Sequence, residues 1–152
     1  MTKSKEIDRA GIVVGVDGSG HSRAALERAA AEAAAHGAPL TVLVIHQAVR
    51  DVYGYPSHYQ EDSAQTAKVK AAAQAETDDV VAAMDAKPTS VTVTSVHGLP
   101  ADELIKASQG ADMIVLGRRG MGGFARLAMG SVSSQVAHHA HCPILIVPHD
   151  GE

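Results

Sequence analysis

Short runs of branched apolar residues alternate along this chain with longer stretches in which alanine and charged residues recur at helical spacing. The first run, Gly11 to Asp17, holds Ile12, Val13, Val14 and Val16 with hardly a polar break, as does the second, Leu40 to His46. Strands buried on both faces of a parallel sheet read this way, whereas half-exposed strands alternate. Ser90 to Val96 does alternate, with Val91, Val93 and Val96 set among Thr and Ser, and is expected at or near a sheet edge. Asp112 to Gly117 and Pro143 to Val147 complete five strands.

Four helices are expected between them. Ser22 to His36 is rich in alanine and is stopped by Gly37 and Pro39. Ser63 to about Ala86 places Val69, Ala73, Val80 and Met84 roughly on one face. Pro100 to Ser108 opens on a proline, with Asp102 and Glu103 where the helix dipole favours acids. The last runs from about Ser131 to His139. Strands alternating with helices give βαβ units, so the expected class is α/β, a doubly wound parallel sheet with helices on both faces. Ligands of such folds bind beyond the carboxyl ends of the strands.

Composition narrows the picture. The 152 residues suit one domain, 1–152 with its core at 11–148, able to bury roughly two-thirds of its unfolded surface. There is no Trp and one Phe, so the core is aliphatic. A net charge of −4 argues against a nucleic-acid partner. No apolar stretch approaches the ~18 residues of a membrane span, the N-terminus has no apolar signal segment, and the single Cys142 makes no intrachain bridge. The expectation is a cytoplasmic protein with no membrane partner.

Charge is not spread evenly. From Met113 to His149 there is no Asp or Glu, while Arg118, Arg119 and Arg126 are present. The same stretch carries five glycines within the fourteen residues from Gly117 to Gly130, followed by Ser131, Ser133 and Ser134. Glycines let backbone amides approach a ligand, and the helix that follows presents unpaired N–H groups and the positive end of its dipole. The combination describes an anion site suited to a phosphate chain, against the plainer reading of a surface loop with solvated arginines. It is not a Walker A loop, since no Gly-Lys dipeptide occurs. Nor is it a dinucleotide fingerprint, since Gly18-Ser19-Gly20 is followed by Arg23 where a third glycine belongs. Asp17, at the end of the first strand, is placed either to meet a ribose or a magnesium ion, or simply to make the Asp-Gly-Ser turn.

Val16-Asp17-Gly18-Ser19, Val96-His97-Gly98-Leu99-Pro100 and the long loop together resemble the universal stress protein family. Gly117, Gly120, Gly130 and Ser131 fall on the four fixed positions of that family's ATP-binding signature: glycine, two residues, glycine, nine residues, glycine, Ser or Thr. The resemblance runs from Gly11 to Pro148. It implies a Rossmann-like five-stranded parallel sheet in the order 3-2-1-4-5 and an adenine nucleotide, ATP first and cyclic AMP as the alternative. By the same resemblance Gly117, Arg118, Gly120, Gly130, Ser131 and the Val132 amide bind phosphates, and Asp17 meets the ribose or a Mg2+ ion. Ile45 contacts adenine through its backbone, and Gly98 and Leu116 line the ribose side. A homodimer through Pro143 to Val147 is implied as well, a sensible use of an apolar edge.

Other clusters carry less. His138, His139, His141 and Cys142 lack the paired spacing of metal ligands, and the adjacent histidines point to different sides of a helix; Cys142, next to Pro143, is expected to be buried. Tyr53, Tyr55, His58 and Tyr59 sit after the second strand, either as a cover for adenine or as an exposed loop. No catalytic set emerges. The expected function is a nucleotide-dependent stress sensor or signalling module. Its alternatives are a slow magnesium-dependent ATPase or adenylate-transferring enzyme, and a nucleotide-free interaction module.

Overall fold

A computed structural model describes residues 10–16, 20–46, 63–118 and 130–148. Five strands and four helices alternate: β1 (Ile12–Val16), α1 (Gly20–His36), β2 (Leu40–His46), α2 (Ser63–Ala82), β3 (Val91–His97), α3 (Pro100–Ser108), β4 (Met113–Gly117), α4 (Ser131–His139) and β5 (Ile144–Val147). All pairings are parallel and the order is β3-β2-β1-β4-β5. Alternate side chains of each strand leave on opposite faces, and two apolar clusters result. Ile12, Val14, Val16, Leu40, Val42, Val44 and Val115 pack with Ala25, Leu26, Ala29, Ala30 and Ala33 of α1 and Val80 of α2. Val13, Leu43, Ile45, Ile114 and Leu116 pack with Ala101 and Leu104 of α3 and Val136 of α4. The sheet is thus covered by α1 and α2 on one side and by α3 and α4 on the other.

The alanines of α1 explain how closely that helix lies on the sheet: Ala25, Ala29, Ala30 and Ala33 are wholly buried. It ends in a Schellman turn, with Ala38 N–H donating to Ala33 O (2.8 Å), Gly37 N–H donating to Ala34 O (3.3 Å), and Gly37 at φ +58°.

Several element boundaries differ from the sequence expectation. Helix α1 begins at Gly20, and Ser22, expected to open it, is buried within its first turn. Helix α2 stops at Ala82 and not near Ala86, and the Lys87 ammonium donates to Val81 O (2.7 Å) in its last turn and to Met84 O (2.9 Å) in the turn that follows. Strand β3 runs one residue later than Ser90 to Val96, since His97 still pairs with His46. Gly11 leaves β1 because its φ is +64°, and β5 starts after Pro143, whose carbonyl still accepts Ile114 N–H (3.0 Å). The edge position expected for the alternating strand holds: β3 is one outer strand and β5 the other.

Candidate functional site

The order β3-β2-β1-β4-β5 places the topological switch between β1 and β4, where consecutive crossovers leave in opposite directions. Asp17, Arg119 and Gly120 lie outside the described residues, as do the tyrosines at 53–59; Asp17 follows directly on the last residue of β1. The remaining expected site residues gather at the carboxyl edge.

Gly117 ends β4 opposite Val147 of β5. Arg118 N–H donates to Val147 O (2.9 Å), and the Arg118 carbonyl accepts Gly130 N–H (2.9 Å). The glycine-rich segment is therefore closed at its base by one backbone bond, and α4 starts at that point. The first bond of the helix is Ser134 N–H to Gly130 O (3.0 Å), so the amides of Ser131, Val132 and Ser133 precede the intrahelical ladder. Gly130 makes no side-chain cap, and the first turn holds no acid. The helix end keeps its positive dipole uncompensated by any side chain of its own first turn. Beside it, Arg118 Nε is buried with no hydrogen-bond partner among the described residues.

The three serines of α4 divide. Ser131 is exposed, as a ligand contact requires. Ser133, expected to offer its hydroxyl to the ligand, is buried and donates it instead to Gly117 O (2.9 Å). That inward bond fastens α4 to the end of β4, so Ser133 positions the site and does not line it.

Ile45 and Leu116 are buried in the cluster under α3 and α4, at 6 % and 5 % exposure. Their side chains belong to the core, and what they present at the edge is backbone. Gly98 donates its N–H to His46 O (3.0 Å), which ties the turn after β3 to the end of β2. A Cβ on Gly98 would stand 2.7 Å from Glu103 Oε1. Sequence reasoning assigned Glu103 only to the dipole of α3, whose first turn in fact brings this carboxylate against Gly98. No spacing rule signals that contact before the turn geometry is known.

A second grouping missing from the sequence reading stands at the ends of β2 and β3. His46 and His97 are register partners with ring centroids 5.1 Å apart, and His46 Nε2 is hydrogen-bonded to Ser95 Oγ. Burial, and then the neighbouring His97, hold the His46 imidazole below its ordinary pKa.

Elsewhere, the His138 and His139 ring centroids stand 6.4 Å apart with their planes tilted by 58°. Cys142 is only half-buried, because it lies just before the edge strand β5. Burial raises its thiol pKa, with Asp112 adding to the rise and the Ile114 backbone opposing it, which disfavours a reactive thiolate. Among the described residues no group of three His, Cys, Asp or Glu converges on a metal position, and no helix is long and apolar enough to cross a membrane.

Comparison with known proteins agrees with this architecture. The family model described as the universal stress protein family matches residues 10–148. A universal stress protein of Mycolicibacterium smegmatis is 35 % identical over 155 residues, covering 93 % of this chain and 49 % of that protein. One from Thermus aquaticus is 37 % identical over 141 residues, covering 90 % of this chain and 96 % of that protein. The chain thus spans about half the length of the mycobacterial relative and nearly all of the Thermus one. Among solved structures, UspA from Lactobacillus plantarum superposes with a TM-score of 0.73 at 25 % identity, covering 91 % of this chain and 97 % of that one. A universal stress protein solved in complex with cAMP gives 0.65 at 27 % identity, covering 92 % and 97 %.

Proposed function

The chain belongs to the universal stress protein family, and from that premise we propose that it binds an adenine nucleotide, ATP or cyclic AMP, and acts in a stress response as a nucleotide-dependent sensor or signalling module. One observation carries the reading. The uncapped, acid-free N-terminus of α4 stands at the base of a glycine-rich segment closed by the Gly130–Arg118 bond, and such a terminus attracts phosphate. The related protein solved with cAMP supports the same ligand class.

On this reading Gly117, Arg118, Gly120, Gly130, Ser131 and the Val132 amide hold the phosphates. Ile45 offers its backbone to the base, Gly98 and Leu116 border the ribose, and Asp17 meets the ribose or a Mg2+ ion. We also propose that the half-buried β5 edge pairs with that of a second copy.

The test is direct. Nucleotide released from denatured, freshly purified protein identifies the ligand beside a mock preparation. Titration with ATP and with cyclic AMP is then compared between wild type and Gly130→Val/Ser131→Leu. Gly130 has φ −68° and ψ 162°, a conformation open to any residue, so the variant is expected to fold, as checked by circular dichroism. Its nucleotide affinity is expected to fall below detection; unchanged affinity for both ligands overturns the assignment.

A further inference from the structure

We propose that His46 and His97 form a two-imidazole site for a zinc-class divalent ion at the carboxyl edge of β2 and β3, separate from the glycine-rich loop. Both residues end their strands and pair in register, so their side chains leave the same face of the sheet. Ile45 and Val96, one residue earlier, pack into the cluster under α3 and α4. The imidazoles therefore belong to the α1 and α2 side, and the site does not depend on the nucleotide reading.

Distance supports shared coordination. Zinc binds imidazole nitrogen at about 2.0–2.1 Å, which puts the ion about 3.2 Å from each ring centre. Two rings whose centres lie 5.1 Å apart and whose planes tilt by 32° subtend roughly 105° at an ion to which each turns one nitrogen, close to the tetrahedral angle that zinc adopts. Coordination uses one nitrogen of each ring and leaves the other for a hydrogen bond. His46 Nε2 already bonds Ser95 Oγ, and in the tautomer in which Nε2–H donates, Ser95 is the outer partner and the Nδ1 lone pair is left for the ion. Burial and the proximity of His97 both favour the neutral, lone-pair-bearing form of His46. With no third His, Cys, Asp or Glu converging among the described residues, the pair leaves coordination positions open to water or to an exchangeable ligand.

The experiment uses the full chain, free of any tag and stripped of metal. Zn2+ is titrated calorimetrically and Co2+ by its visible absorption. The proteins compared are wild type, His46→Gln, His97→Gln, Ser95→Ala and the triple variant His138→Asn/His139→Asn/His141→Asn. One ion per chain is expected in wild type and in the triple variant. Loss of binding is expected in either single glutamine variant, and about tenfold weakening in Ser95→Ala, the scale of an outer-partner loss. In the wild type, the imidazole resonances of His46 and His97 should shift together on adding Zn2+, a readout independent of whether the variants fold. The proposal is overturned if wild type binds no ion, if either glutamine variant binds as wild type does, or if the triple variant loses binding.

Discussion

Gly11 and Gly37 both hold positive φ, at +64° and +58°, yet a methyl group would meet different surroundings at each. At Gly37 nothing lies within 4 Å of the added carbon, so Gly37→Ala carries only the left-handed conformational cost, about 1 kcal/mol or roughly 3 °C in Tm. At Gly11 the carbon would stand 2.3 Å from Pro39 O, the acceptor of Ile12 N–H. Gly11→Ala must therefore displace the backbone that joins β1 to β2, and a loss of about 3 kcal/mol or more is expected in urea unfolding. Equal losses at the two positions would contradict this account. His46 supplies a test by pH. Its pKa is lower in the folded chain than its ordinary 6.5, so the unfolded chain takes up the proton more readily. The stability it contributes is complete above the ordinary histidine range and declines as the pH falls through it. In chelator, His46→Gln should flatten that decline between about pH 7.5 and about pH 5.5 in urea titrations; an unaltered slope would assign it to other groups. Neither the Glu103 contact with Gly98 nor the His46–His97 pair was legible in the sequence. Both depend on register and turn geometry between segments distant in the chain, and no local spacing encodes that.

Among the elements, α3 buries one large side chain against the sheet, Leu104. Leu104 is 2 % exposed, and its Cδ2 would lie 3.1 Å from a Cβ at Gly15, so it fills the space that glycine leaves on the sheet. Leu104→Ala is expected to destabilise by about 3 kcal/mol, read from the urea midpoint. Because Gly98 and Glu103 flank the start of the same helix, nucleotide affinity measured in that variant also reports whether α3 sets the ribose border. The identity and order of the elements were readable because four strands are dense apolar runs, β3 alternates Val with Thr and Ser, and each helix repeats at helical spacing. Their ends were less so, since they involve partners beyond the run itself: Lys87 on a carbonyl of the last turn of α2, or Pro143 keeping an acceptor but lacking a donor. The glycine spacing and the absence of acids carry the proposal of a phosphate site there. The inward turn of Ser133 was not legible, because a serine in a first helical turn reads the same whether it faces ligand or core.

For the whole molecule, ligand and assembly can be measured together. A nucleotide present at about a hundred times its dissociation constant stabilises the folded state by about 2.7 kcal/mol, or roughly 5–10 °C in Tm for a domain of this size. Sedimentation of the same sample tests the β5 edge. A species of twice the 15.7 kDa chain mass is expected, and a monomer at all concentrations would remove the proposed pairing while leaving the nucleotide site to stand on its own titrations.

The bond from Gly130 N–H to Arg118 O has one more consequence. It makes the intervening sequence a cassette: its two ends are fixed to each other and to β5 whatever lies between them. Side chains between the signature positions can change at little cost to the sheet, since the closure is made by backbone alone. On the proposed nucleotide reading, residues 119–129 can be replaced by those of another family member without redesigning the sheet, and titration of the exchanged chain tests whether they set ligand preference.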